Sequence, residues 1–144
     1  MKRTIIHVFH IGAGIDVVNQ AIATIEGLQN WWSKDTSGSA AKDNIIQFRF
    51  GDVFKPDMKV IENTENRVQW ECVAGEKEWL GDKFTFFITD KKGSVSMKFT
   101  QEYANEITEE QFGTFNFNWG YYLNSLKQYC ETGKGNPWYN KPNK

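Results

Sequence analysis

The sequence has little of three things: excess charge, cysteine and long apolar runs. Seventeen Lys and Arg residues oppose 18 Asp and Glu residues, so the net charge is −1 and no general attraction for nucleic acid is expected. Two cysteines, Cys72 and Cys130, are too few for a disulfide-stapled secreted domain. No apolar stretch approaches the roughly 18 residues that a membrane-spanning helix needs. We therefore expect a cytoplasmic protein that neither inserts into membranes nor binds nucleic acid.

Leucine is also scarce, with 4 residues, whereas Phe, Trp and Tyr number 11, 6 and 5 and make up 15% of the chain. Large flat rings must therefore fill or line the interior. With 144 residues, the chain is long enough to bury about 70% of its unfolded surface without a disulfide or a metal. We expect a single domain over residues 1–144, in which residues 133–144 form an irregular tail.

The first third of the chain predicts a strand and two short helices. Residues 3–11 are β-branched and aromatic without a helical period, which favours a strand. The glycines of residues 12–14 end it, and Asp16 is a possible cap for a helix whose apolar residues follow at helical spacing. Residues 28–32 indicate a second short helix, packed at an angle to the first. The polar residues 33–44 are expected to form a loop.

The middle of the chain has a hydrophobic period of two, which is typical of strands with one buried face. Turn-forming residues separate the successive runs. With the first strand, the five runs predict a six-stranded antiparallel sheet that is apolar on one side. The runs are residues 45–50, 58–60, 67–74, 83–88 and 95–101.

A long helix closes the predicted fold. Thr108 and Gln111 form a capping box, an apolar stripe of period 3.6 follows, and Gly133 is the expected stop. At a rise of 1.5 Å per residue, such a helix reaches roughly 34 Å, long enough to cross a whole sheet. The sequence therefore predicts an α+β helix-grip fold: a curved six-stranded sheet wrapped around a long C-terminal helix.

A curved sheet around one helix is hard to fill completely, so we expect an internal cavity between them, walled by aromatic residues. The alternative is that the same aromatics pack a solid core. The candidate ligand-binding residues share inward-facing positions on the predicted strands and helices. Those on strands are Phe48, Phe50, Met58, Trp70, Phe84, Phe86, Met97 and Phe99, and those on helices are Trp31, Phe112, Phe115, Trp119, Tyr122 and Leu123.

No pattern in the sequence predicts a catalytic, metal or cofactor site. The glycines of residues 12–14 lack the third glycine of a dinucleotide-binding turn, because position 17 is Val17. The two histidines, His7 and His10, point to opposite faces of one strand and cannot chelate one ion together. The Cys72 thiol is expected to be buried and unreactive.

Carboxylates cluster in two places. Glu76, Glu78 and Asp82 are interpreted as turn residues, and the carboxylates of residues 106–110 as favourable charges at a helix N-terminus. Neither cluster has the pattern of a tuned acid and base pair.

The ordered set of local patterns between residues 4 and 133 resembles the family named for the activator of Hsp90 ATPase, within the Bet v 1-like and START-related helix-grip superfamily. The residues that carry the resemblance are 11–18 with Ala21 and Ile22, then Trp31 and Trp32, then Val68, Trp70, Glu78, Trp79 and Gly81, and finally Trp119, Leu123, Leu126, Lys127, Tyr129, Glu131 and Gly133.

The resemblance implies a helix-grip fold with an internal cavity and no shared catalytic residues. The leading hypothesis is a module that binds an apolar, aromatic or lipid-like small molecule. The alternatives are a protein-interaction module resembling the Hsp90 co-chaperone domain, with a chaperone partner for the outer surface and the tail, and a cyclase-like or hydrolase-like enzyme using the same cavity. A monomer and a dimer are both compatible with the sequence.

Overall fold

The computed structural model describes residues 2–140. Within them, one antiparallel sheet packs against a long C-terminal helix, and two short helices follow the first strand. The elements in chain order are β1 (Thr4–Ile11), α1 (Ile15–Ala23), α2 (Ile25–Trp31), β2 (Asp35–Gly38), β3 (Ile45–Arg49), β4 (Asp57–Thr64), β5 (Arg67–Ala74), a 3₁₀ turn (Lys77–Trp79), β6 (Lys83–Asp90), β7 (Val95–Glu102) and α3 (Glu109–Thr132).

The sheet order is β1-β7-β6-β5-β4-β3-β2, and all neighbouring pairs are antiparallel. Strands β2 to β7 follow one another as a meander, and β1 then pairs with β7 along its full length, from Thr4 opposite Glu102 to Ile11 opposite Val95. This arrangement confirms the α+β helix-grip fold. The register of β4 against β5 shifts twice, which marks irregularities that bend a strand.

The sheet of the described residues has seven strands, so the prediction of six is wrong by one. The additional strand, β2, lies inside residues 33–44, which were expected to form a loop, and pairs with β3 from Asp35 opposite Arg49 to Gly38 opposite Ile46. Its four residues are polar or small, and only Thr36 among them is buried. A short edge strand of this kind has no apolar alternation for a sequence pattern to detect.

Thr24, in an extended conformation, separates helices α1 and α2. Gly14, not Asp16, is the N-cap of α1, and Asp16 lies in the first turn. The Thr24 hydroxyl caps α2 by accepting a hydrogen bond from the Gly27 amide at 2.9 Å. A Cβ atom on Gly27 would collide with the Gln20 carbonyl oxygen and with Ala21, so only glycine allows the two helices to approach so closely.

Helix α3 lies across the apolar face of the sheet. Its capping box is confirmed: Gln111 donates its amide proton to the Thr108 hydroxyl, and the Gln111 side chain accepts from the Thr108 amide. Gly133 ends the helix in the left-handed conformation, at a φ of 85°. Trp119, Leu123 and Leu126 are buried against the sheet and the short helices. No helix among residues 2–140 is both long and apolar enough to cross a bilayer.

Candidate ligand-binding pocket

The sheet face under α3 is largely solid. Eight of the fourteen predicted ligand-binding residues are completely buried among one another and their neighbours, with no exposed surface. These eight are Trp31, Phe48, Met58, Trp70, Phe84, Phe86, Met97 and Phe99. The aromatic side chains on the strands therefore form a close-packed core rather than the wall of a large internal cavity.

A pocket of about 280 Å³ lies beside this core, between α3, the loop after β3, the 3₁₀ turn and the C-terminal segment. Eight of its ten lining residues are aromatic, and the other two are Val53 and Asn118. Four of the six tryptophans of the chain belong to the lining, namely Trp32, Trp79, Trp119 and Trp138.

Four of the fourteen predicted residues border this pocket: Phe50, Phe115, Trp119 and Tyr122. Of the other predicted residues outside the solid core, Leu123 is buried on the core side of α3. Phe112 is half-buried, 6.2 Å from Tyr103, with the Arg3 guanidinium 5.1 Å above its ring. The structure thus brings together part of the predicted set alongside residues 115–122 of α3.

The remaining aromatic lining residues were missed by the sequence pattern. Trp79 lies in the 3₁₀ turn, Phe54 in the loop after β3 and Trp138 beyond α3, whereas Trp32 stands directly after α2. Trp32 belongs to the run of residues 28–32 that indicated the second helix, but the positions of Phe54, Trp79 and Trp138 belong to no helical or period-two run, so periodicity carries no information about those three. Of these residues, Trp79 was singled out only through the family resemblance, which also included the Trp31–Trp32 pair.

The pocket floor is a rigid set of packed rings. The Trp32 ring lies 4.9 Å from Trp119 and 4.4 Å from Phe48, and Trp79 stacks on Trp119 at 6.1 Å with an interplanar angle of 13°. Trp119 also contacts Phe99 of the sheet at 4.2 Å. Because each floor ring is held by rings of the solid core, the floor is preformed.

A buried polar chain fixes Trp119 from behind. The Trp119 indole N–H donates to Gln101 Oε1 at 2.7 Å, and Gln101 Nε2 donates to Asp82 Oδ2 at 2.9 Å. The other Asp82 oxygen accepts the Ala104 amide at 2.7 Å. An indole N–H can only donate, so it sets the orientation of the Gln101 amide and requires an acceptor at Asp82.

Asp82, which the sequence analysis interprets as a turn residue, is fully buried. Burial raises the pKa of its carboxyl to about 6, against the smaller opposing effect of the Ala104 and Gln101 hydrogen bonds. The Tyr103 hydroxyl lies close to both Asp82 and Trp79; burial first and the Asp82 charge second raise its pKa. Neither the Tyr103 hydroxyl nor the Trp79 indole N–H reaches the geometry of a full hydrogen bond.

The C-terminal segment forms one wall of the pocket. The Trp138 amide donates to the Trp32 carbonyl and the Lys34 amide to the Trp138 carbonyl, both at 2.8 Å. The Ser125 hydroxyl, buried on α3, donates to the Trp31 carbonyl and accepts the Asn136 amide at 2.6 Å. We call residues 134–138 the C-terminal strap, because these bonds tie it across the end of α2 and place the Trp138 ring 6.1 Å from Phe50.

The other chemistry-bearing residues lie outside the pocket. His7 is half-exposed and pairs with the Asn116 side chain at 2.9 Å, whereas His10 is exposed on the other face of β1. Cys72 and Cys130 are buried free thiols, and burial raises the pKa of each to about 12, as expected for unreactive cysteines. Residues 2–140 contain no cluster of three or more His, Cys, Asp or Glu side chains that could hold a metal ion.

A curved antiparallel sheet packed around a long C-terminal helix defines the helix-grip class. A solved structure of the Aha1 dimer from Colwellia psychrerythraea is similar, at 32% sequence identity and a TM-score of 0.81, over 92% of this chain and 99% of that one. The chain therefore belongs to the Aha1 family, the family of the activator of Hsp90 ATPase.

More distant structures share the fold alone. Protein MLL2253 from Mesorhizobium loti has 14% identity and a TM-score of 0.75, over 88% of this chain and 95% of that one. CalU16 from Micromonospora echinospora has 12% identity and a TM-score of 0.76, over 94% of this chain and 70% of that one. No family model and no curated protein sequence matches the chain.

Proposed function

We propose that the protein is a binding module for a small apolar or aromatic molecule, held in the pocket beside residues 115–122 of α3. The observation that carries this proposal is the lining: eight aromatic side chains line an open pocket of about 280 Å³, and the rings of its floor are already packed in place. Ligand pockets are usually mostly apolar, preformed and about 300–1,000 Å³ in volume, so this one suits a compact ligand. A preformed aromatic pocket gives affinity because little ordering is needed on binding.

Binding is favoured over acid–base catalysis by the chemistry of the lining. Among the ten lining residues there is no carboxylate, imidazole or thiol. The nearest buried carboxyl, Asp82, is linked to the pocket only through Gln101 and the Trp119 ring. A cyclase-like or hydrolase-like use of the site would need a group that touches the reacting atoms.

The test is titration with naphthalene, followed by calorimetry and by the shift of the melting temperature. We expect a dissociation constant of about 1–100 μM and a stabilisation of about 2.7 kcal/mol at a hundredfold excess of ligand. Val53→Trp places a bulky ring at the pocket and is expected to weaken binding at least tenfold. Val8→Trp is the matched control, because Val8 is exposed on β1 and outside the lining. An unchanged melting temperature in wild type, or equal weakening by both variants, would contradict the proposal.

The outer face of α3 supports a second proposal, self-association. The Phe117 and Tyr121 side chains are 76% and 55% exposed, and with Tyr139 they line a broad groove next to the pocket. Exposed aromatic residues in one patch are typical of protein interfaces. The Colwellia psychrerythraea relative is a dimer, so we propose a second copy of this chain as the occupant.

Sedimentation equilibrium tests this second proposal. Wild type is expected to dimerise, and Phe117→Ser combined with Tyr121→Ser to remain monomeric, whereas the control Val8→Ser, at another exposed apolar position, keeps the wild-type state. A monomeric wild type at about 100 μM would exclude the dimer. The groove would then be assigned to the other candidate occupant, a chaperone of the Hsp90 type.

We further propose that residues 1–144 act as one domain in the cytoplasm. Two buried, unpaired cysteines suit a reducing compartment.

A further inference from the structure

The polar atoms of the pocket are unevenly distributed between its floor and its mouth. The floor rings of Trp32, Trp79 and Trp119 are each at most 3% exposed. The mouth includes Val53, which is 87% exposed, and Asn118, which is also exposed. The pocket surface therefore changes from buried indole rings at the floor to a partly polar rim at the mouth.

Two of the three floor indoles offer no hydrogen bond to a ligand. The Trp119 N–H is occupied by Gln101, and the Trp79 N–H is buried beside the Tyr103 hydroxyl; neither Gln101 nor Tyr103 lines the pocket. These two indoles consequently turn their polar ends into the protein interior. The part of a ligand that reaches the floor is surrounded mainly by ring carbon.

The mouth has unused hydrogen-bonding capacity. The Asn118 side chain forms no hydrogen bond with the residues that the structure describes, and it can both donate and accept. Burial first and the neighbouring Tyr121 second raise the pKa of the Tyr122 hydroxyl, so it stays protonated at neutral pH and can also donate. Both groups are neutral, and no charged side chain belongs to the pocket lining among residues 2–140.

We propose that the pocket selects an uncharged, compact aromatic ligand that carries one hydroxyl or carbonyl group. The aromatic body would lie against the half-buried rings of Phe54, Phe115 and Trp138, above the packed floor, and the polar group would bond to Asn118 and Tyr122. The lining holds no charged side chain, so an ionised ligand group that gives up part of its water on entering the pocket gains no ion partner there. This inference rests on the proposed binding function and names the ligand class of the same site.

The experiment compares four probes of equal ring size at about pH 7: naphthalene, 2-naphthol, 2-naphthoate and 2-naphthylmethylammonium. Calorimetry is expected to show 2-naphthol binding about threefold to tenfold more tightly than naphthalene, which corresponds to one exchanged hydrogen bond. Both charged probes are expected to bind more weakly than 2-naphthol, because neither finds an ion partner in the lining.

Asn118→Leu is expected to reduce the preference for 2-naphthol over naphthalene to less than about twofold while naphthalene still binds. Asn124→Leu is the matched control, since Asn124 is exposed on the same helix and outside the lining, and it is expected to keep the full preference. Circular dichroism confirms that both variants fold.

The outcomes separate this inference from the function on which it rests. If the anion or the cation binds as tightly as 2-naphthol, or if Asn118→Leu leaves the preference unchanged, the ligand class is wrong and the binding function stands. If none of the four probes binds to wild type, the binding function itself fails.

Discussion

Asp82 shows how one buried side chain can make the stability of the whole protein depend on pH. It is held by the Ala104 amide and the Gln101 side chain, and Cys72 and Tyr103 are the other titratable groups whose pKa values it affects. The raised pKa of about 6 means that the folded state binds the proton of Asp82 more tightly than the unfolded chain does. Protonation of Asp82 therefore stabilises the fold.

We predict that this stabilisation is complete below pH 4 and is lost as the pH rises through about 6. Between pH 5 and 8, Asp82 should remove about 1–2 kcal/mol from the free energy of unfolding of wild type. Asp82→Asn should flatten that part of the pH profile, because the amide does not titrate.

Urea denaturation at a series of pH values measures the effect. Glu102→Gln is the control, since Glu102 is an exposed carboxylate at the end of β7 and should leave the slope as in wild type. If Asp82→Asn retains the full pH dependence, another group is responsible for it.

At the scale of elements, the C-terminal strap depends on a single hydroxyl. Ser125 joins three segments, since it donates to the end of α2 and accepts from the strap while standing on α3. Gly135 allows the strap to lie close to the end of α2, because a Cβ atom at this position would meet the Asn30 carbonyl oxygen at 2.5 Å. The wall of the pocket that holds Trp138 is thus positioned by a residue that does not itself line the pocket.

We predict that Ser125→Ala lowers the free energy of unfolding by about 1–3 kcal/mol, because it leaves the Trp31 carbonyl and the Asn136 amide without their partner. The Trp138 amide should also lose hydrogen-exchange protection, since its bond to the Trp32 carbonyl depends on the strap. Ser37→Ala, at an exposed serine on β2, should change neither quantity. A Trp138 amide that stays protected in Ser125→Ala would show that the two backbone bonds hold the strap without help.

How far the sequence predicts each element depends on its pattern. The runs that became β4 to β7 and the stripe of α3 have a clear period, and the capping box located the start of α3 to the residue. Strand β2 has no period, so its pairing with β3 could not be predicted. The pocket is even harder to predict from the sequence, because Phe54, Trp79 and Trp138 come from a loop, a turn and the strap. Only the folded chain brings these three segments together.

At the scale of the whole molecule, the aromatic residues divide into a solid core and a pocket wall. Met97 lies at the centre of the solid part, fully buried opposite Phe9 and Ile88 of the neighbouring strands. Val53, in contrast, is largely exposed and lies at the pocket mouth. The same substitution should therefore have different effects at the two positions.

We predict that Met97→Trp destabilises the fold by about 1–3 kcal/mol or more, because the packed core has no space for the larger ring. Val53→Trp should change the free energy of unfolding by less than about 0.5 kcal/mol, since it is exposed. Chemical denaturation of the two variants beside wild type checks this. Equal stability of Met97→Trp and wild type would reveal unfilled space under the sheet.

The pairing of β1 with β7 affects how the protein folds during translation. The ribosome makes β1 first, yet its partner in the sheet is the last strand to emerge, so at about 5–20 residues per second β1 waits on the order of ten seconds. During that time Ile5 and Ile11, which are buried in the finished sheet, are exposed to water on an unpaired strand. Until Glu102 has emerged from the ribosome, β1 therefore remains an unpaired strand that is exposed to aggregation.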